Sequence, residues 1–212
     1  GMHFNYWSPS DNRPTATDML FTDGGCMENL ALIPLLQRKV NKIILFDNSG
    51  TALKPSSSWD VTNTPPSNDD VDSSLSSLFG MQADDNKEYY DRNFFYNNNK
   101  VFDSNDYQTF ILKLQSAQQS GNGIIASMNL TTITNDWWGI DAGFEVELTV
   151  VYLGRISNWE SELSIEMQEK VIPQENADDL SHTIDKGMFK HYPHYQTAGG
   201  LLSYEKSNLL AN

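Results

Sequence analysis

The chain has 212 residues, enough for one domain with its own core, and 14 Lys and Arg against 28 Asp and Glu give it a net charge of −14. That sign excludes nucleic acid as a partner and excludes docking on anionic lipid by charge, so a lipid would be reached through apolar contacts. No run approaches the ~20 apolar residues of a membrane span, none reads as a signal peptide, and the single cysteine, Cys26, rules out an internal disulfide.

Residues 3–19 form an aromatic and polar lead-in. His3, Phe4, Tyr6 and Trp7 are expected to cover a core edge, and Ser8-Pro9-Ser10-Asp11 is a turn-forming cluster. Leu20-Phe21-Thr22 reads as the end of a buried strand and Asp23-Gly24-Gly25 as a sharp turn whose glycines are free to take φ > 0. A short apolar helix opens near Pro34. Lys42-Ile43-Ile44-Leu45-Phe46 is a second buried strand, ended by Asp47-Asn48-Ser49-Gly50. Strand, turn, helix and strand over 18–47 compose a βαβ unit. It predicts Leu20–Thr22 and Ile43–Phe46 as parallel neighbours in one sheet, with the Asp23 carboxylate at the carboxyl edge where open α/β sheets keep their sites.

Residues 50–72 are a long loop, too polar to bury itself, and Asp69, Asp70 and Asp72 within it lack the Gly and Glu that an EF-hand needs, so the loop reads as solvated and acidic. Residues 73–101 combine a short helix (Leu75, Leu78, Phe79) with an Asn- and Tyr-rich stretch to which the sequence gives no role. The clearest helix spans 104–120, capped by Asp103 or Ser104, with Tyr107, Phe110, Ile111 and Leu114 on one face and Gly121 as its stop. Ile124 to Ile133 is a strand, and Trp137-Trp138-Gly139 a bulky turn. Phe144, Val146, Leu148 and Val150 alternate with Glu145, Glu147 and Thr149, a wet-faced strand expected near a sheet edge. Asn158 is positioned to cap a helix carrying Trp159, Leu163 and Met167. His191 and His194 lack a third ligand at metal spacing, so no metal or cofactor is expected, and a terminal helix follows Leu201.

The run from Leu20 to Ser49 resembles the C-terminal catalytic motif of lysophospholipases, cytosolic phospholipases and, more distantly, patatin-like acyl hydrolases. In that family an Asp-Gly-Gly turn, an Asn, a Pro-Leu-Leu helix and an apolar strand ending in Asp-x-Ser follow in this order, as Asp23-Gly24-Gly25, Asn29, Pro34-Leu35-Leu36 and Asp47-Asn48-Ser49 do here. His191-Tyr192-Pro193-His194-Tyr195-Gln196-Thr197 resembles the aromatic-Pro stretch near the family's end. The resemblance implies an α/β fold: a partial three-layer, patatin-like arrangement with a mixed, mostly parallel sheet and flanking helices, residues 1–212 being one domain. It makes Asp23 the base of a Ser–Asp dyad and gives Gly24 and Gly25 a substrate-side role through the turn they form.

Gly-x-Ser-x-Gly, the elbow that carries the serine, is not in the sequence, and neither is a glycine-rich oxyanion hole. The chain alone is therefore expected not to hydrolyse lipid. The expected partner is an N-terminal chain or domain bearing Gly-x-Ser-x-Gly, and the expected substrate of the completed site is a phospholipid or lysophospholipid. A homodimer, or a local rearrangement, is the other way to shield an open sheet. Two alternatives stay open: a non-catalytic lipid- or protein-binding module descended from that fold, and an α/β domain of unrelated function.

Overall fold

The computed structural model describes residues 2–6, 16–21, 24–81, 96–171, 188–189, 191–195 and 202–211. It has mixed α/β architecture. In chain order the elements are β1 (Met2–Tyr6), β2 (Thr17–Phe21), a 3-10 turn (Gly24–Cys26), α1 (Ile33–Gln37), β3 (Lys42–Asp47), α2 (Ser73–Ser77) and a second 3-10 turn (Tyr96–Asn98). Then come α3 (Ser104–Gln119), β4 (Ile124–Thr131), β5 (Glu145–Tyr152), α4 (Ser157–Ser161), α5 (Ile165–Val171) and α6 (Tyr204–Ala211).

The main sheet has the order β3-β5-β4. β3 runs parallel to β5, with Ile43 opposite Leu148 and Asp47 opposite Tyr152, and β4 runs antiparallel to β5, with Ala126 opposite Val150. β5 is thus the central strand, not an edge. Its Glu145, Glu147 and Thr149 are tolerated there because they lie on the sheet's outer face, where Lys42 pairs with Glu147 at 3.1 Å and the hydroxyls of Ser127 and Thr149 meet at 2.7 Å. The inner face carries Ile43, Leu45, Ala126, Leu130, Val146, Leu148 and Val150, packed in one core with α1, α2 and the apolar face of α3 (Tyr107, Phe110, Ile111, Leu114). Asp103 caps α3 by accepting the Asn105 amide.

Four further expectations are corrected. Leu20 and Phe21 are not part of a buried strand beside β3: β2 pairs antiparallel with β1 in a separate two-stranded sheet whose every residue is exposed. Phe4 and Tyr6 accordingly stack edge-on to Phe21 and cover no core. The loop 50–72 is not merely solvated, since Leu53, Trp59, Val61 and Val71 are buried in the main core. Its carbonyls are held by α3: Gln115 donates to Lys54 and Trp59, and Gln118 to Leu53. Asp70 forms an ion pair with Lys54 at 2.7 Å. Asn158 does not cap a helix from its first residue; it lies inside α4, and its amide groups fasten that helix to the end of α3 through the Gly121 and Ser120 carbonyls. Gly121 has φ +76°, and a Cβ there would meet the Asn158 and Ser157 side chains below 3 Å.

A second apolar cluster joins Val171, Phe189, Tyr192 and Leu209 to Trp159, Leu163 and Met167. A buried ion pair between Arg155 and Glu160, at 2.7 Å, leads into it.

Among the described residues the outer face of the main sheet is bare, and Ile44 and Phe46 on it are 66% and 68% exposed. Leu148→Ala should therefore cost about 2–5 kcal/mol and Ile44→Ala within about 0.5 kcal/mol, read from urea unfolding. Equal losses would mean that the outer face is covered in solution.

Candidate functional site

The site expected from sequence centres on Asp23, which lies outside the described residues; Thr22 does too. The segment from Gly24 to Leu30 is tied down at several points. The Gly24 carbonyl accepts the amides of Met27 and Glu28, and the Glu28 carboxylate turns forward to take the Leu30 amide at 2.8 Å, at the start of α1. Burial raises the Glu28 carboxyl above its ordinary value although four backbone amides pull it down. The Met27 carbonyl is tied to the Asn99 side chain at 2.7 Å, and Asn99 in turn accepts from the Trp138 indole. Trp138 lies in the connection between β4 and β5, next to the amino ends of β3 and β5. The Met27 carbonyl is therefore fastened near the amino edge of the parallel pair. Gly24 meets open space where a Cβ would stand, so close approach does not require a glycine there.

The carboxyl edge holds a different cluster. Asp47 ends β3 and Tyr152 ends β5, side by side in register. The Tyr152 hydroxyl donates to the Thr51 carbonyl at 2.7 Å and accepts the Asp72 amide at 2.8 Å. Asp72 caps α2 through Oδ1, which takes the Ser74 amide, and its Oδ2 receives the Ser49 hydroxyl. Ser49 Oγ also accepts the Thr51 amide, and the Ser49 carbonyl takes a hydrogen bond from His194 Nδ1 at 2.8 Å. A carbonyl only accepts, so Nδ1 carries the proton and Nε2 is left as the bare acceptor. Asp47 Oδ2 and His194 Nε2 are both buried without a hydrogen-bond partner among the described residues. Of these residues, sequence reasoning singled out Asp47 and Ser49 as a strand end. Tyr152, Asp72 and His194 were missed as a group because their partners are far along the chain.

The electrostatics follow from burial. Asp47 is 2% exposed, and desolvation, followed by the nearby Asp72 charge, pushes its carboxyl well above the usual carboxylate range. Burial also drives the Tyr152 phenol up, with Asp47 and Asp72 adding to it. His194, 4% exposed, is pushed below its ordinary value by burial, against its bond to Ser49. Chemically this is a buried hydrogen-bonded anchor. The Ser49 hydroxyl closes a local turn on a residue that is only 9% exposed, and Asp72 is occupied as a helix cap, so the pair is held by structural bonds rather than presented to a substrate. Among the described residues no three His, Cys, Asp or Glu side chains are grouped to hold a metal ion.

Comparison with known proteins returns no matching family model, no matching curated protein and no matching solved structure.

Removing the Tyr152 hydroxyl leaves the half-buried Asp72 amide and Thr51 carbonyl without this partner, so Tyr152→Phe should cost about 1–3 kcal/mol in urea unfolding. The pH dependence has two signs. Asp47 is raised above its ordinary 3.8, so the folded state holds the proton more tightly, and stability present in acid is lost as pH climbs through the folded value. His194 is lowered from 6.5, so stability present above that pH is lost as pH falls. Urea midpoints followed across this range should show Asp47→Asn flattening the loss of stability that sets in as pH rises above 3.8, and His194→Gln flattening the loss that sets in as pH falls below 6.5.

Proposed function

We propose that the chain is the C-terminal portion of a phospholipase- or lysophospholipase-like acyl-ester hydrolase domain, a partial three-layer patatin-like fold. In it Asp23 is the base of a Ser–Asp dyad, and the serine comes from an N-terminal chain or domain with Gly-x-Ser-x-Gly. Beyond the order of motifs from Asp23 to Ser49, the observation that carries this assignment is the outer edge of β3. β3 is preceded by a helix, is parallel to its neighbour and, among the described residues, pairs on one side only. Its Asn41 and Asp47 carbonyls accept from Glu147 and Leu153, so the odd-numbered residues bond to β5 and the amides of Ile44 and Phe46 face outward. A parallel strand reaching that edge through α1 is the usual crossover.

β2 is the segment of the right position in the chain. It now sits in an exposed two-stranded sheet, an arrangement that is marginal on its own. The proposal requires β2 to leave β1 and join β3, carrying the glycine turn to the carboxyl edge, and the observed pairing opposes it until a partner supplies the rest of the sheet. The chemistry would then be that of a dyad. Asp23 takes the serine proton as Oγ bonds to the acyl carbon, and the tetrahedral oxyanion collapses, breaking the ester bond. The leaving alkoxide recovers the proton from Asp23, and water repeats the sequence to free the acid and the serine.

The isolated chain should be inert to a fluorophosphonate probe and to short acyl esters. Supplied with a partner bearing Gly-x-Ser-x-Gly, it should gain phospholipid or lysophospholipid hydrolysis, and Asp23→Asn should remove about 10²–10⁴-fold of that rate. Labelling of the isolated chain at Ser49, or a reconstituted enzyme indifferent to Asp23→Asn, would overturn the assignment.

A further inference from the structure

Away from both sheet edges, α4, α5 and α6 enclose a groove of about 790 Å³, within the range of small-molecule sites. Trp159, Leu163, Met167, Phe189 and Leu209 line it, and Tyr204, 81% exposed, stands at its mouth. Phe189 and Leu209 belong to the second apolar cluster beneath, so the floor is fixed by packing. The charged groups at the rim are Glu169, Lys170 and Glu205. Lys170 is held by Glu166 at 2.6 Å, one turn back on α5. Glu169 and Glu205 make no ion pair with a described residue, and Glu205 is kept ionised by hydrogen bonds from its own amide and Ser203. An aliphatic trough beside aromatic faces and two carboxylates has the chemistry that takes up an alkyl chain ending in a quaternary ammonium, which aromatic rings attract through their π faces. An anionic head would meet like charge at the rim and across a chain of net charge −14.

We propose that this groove binds a single-chain amphiphile with a quaternary ammonium head, the chain lying along Leu163, Met167 and Leu209 and the head resting between Trp159, Tyr204, Glu169 and Glu205. The site does not depend on the dyad assignment, and its test uses no hydrolysis.

Calorimetric titration of the full chain with dodecyltrimethylammonium, dodecyl maltoside and dodecyl sulfate, each kept below its micelle concentration, separates tail from head. The trimethylammonium compound should bind one to one and at least tenfold more tightly than the other two. Glu169→Gln with Glu205→Gln should bring it down to the maltoside level. Asp69→Asn with Glu162→Gln, the same loss of charge outside the groove, should leave it unchanged. Met167→Glu should abolish binding of all three. If that variant loses its fold, Tyr204→Ser, at an exposed position, should still weaken the ammonium compound selectively. Equal binding of dodecyl sulfate, an equal effect of the two charge-removing pairs, or binding of several molecules that survives Tyr204→Ser would each overturn the proposal, the last as detergent adsorption.

Discussion

The hydroxyl of Tyr152 ends the central strand and holds two pieces of backbone at once, the Thr51 carbonyl and the Asp72 amide. Through these bonds the loop that leaves β3 is brought back to the sheet it came from. Asp72 is then placed to cap α2 and to receive the Ser49 hydroxyl, and the Ser49 carbonyl to receive His194. The cost is carried by neighbouring groups: Asp47 and the Tyr152 phenol are buried beside the half-buried Asp72, and Asp47 and His194 each keep an atom without a hydrogen-bond partner among the described residues. Burial shifts the two residues in opposite directions, Asp47 up and His194 down, so each opposes the other's effect of pH on the stability of this edge.

Local patterns were legible where local forces decide. The apolar face of α3 and its Asp103 cap, the strand ended by Asp47 and the alternation in β5 all reflect short-range periodicity, and each lies where the pattern puts it. Placement within the sheet was not legible. The glutamates of β5 look like an edge signal, yet an open face tolerates them on a central strand as readily. The loop 50–72 looked wet because its stabilising partners, Gln115 and Gln118, are more than fifty residues away and act on its carbonyls, which composition does not display. The carboxyl-edge cluster was half visible for the same reason. Asp47 and Ser49 stand out in sequence, whereas Tyr152 and His194 reach the cluster only through tertiary contacts.

The glycine turn shows how a motif and a structure can disagree without either being empty. Asp23 to Ser49 runs in an order that resembles that of lipid acyl hydrolases, whereas β3 is parallel to β5 rather than to the strand of Leu20 and Phe21 and is buried on one face only. The segment before the turn instead pairs with Met2–Tyr6, where none of its side chains is buried. Under the proposed assignment, a move of β2 to the β3 edge would bring Leu20 and Phe21 toward the apolar row formed by Phe46, Val151 and Ile125, where burial would stabilise it.

Amide hydrogen exchange along β3, residue by residue, addresses the unpaired edge most directly. In the isolated chain Ile43 and Leu45 should be protected by β5 while Ile44 and Phe46 exchange freely, and a partner bearing the nucleophile elbow should bring protection to Ile44 and Phe46 together with Leu20 and Phe21. Protection of Ile44 and Phe46 already present in the isolated chain, or no gain when an active complex forms, would contradict the assignment of that edge to the strand before Asp23.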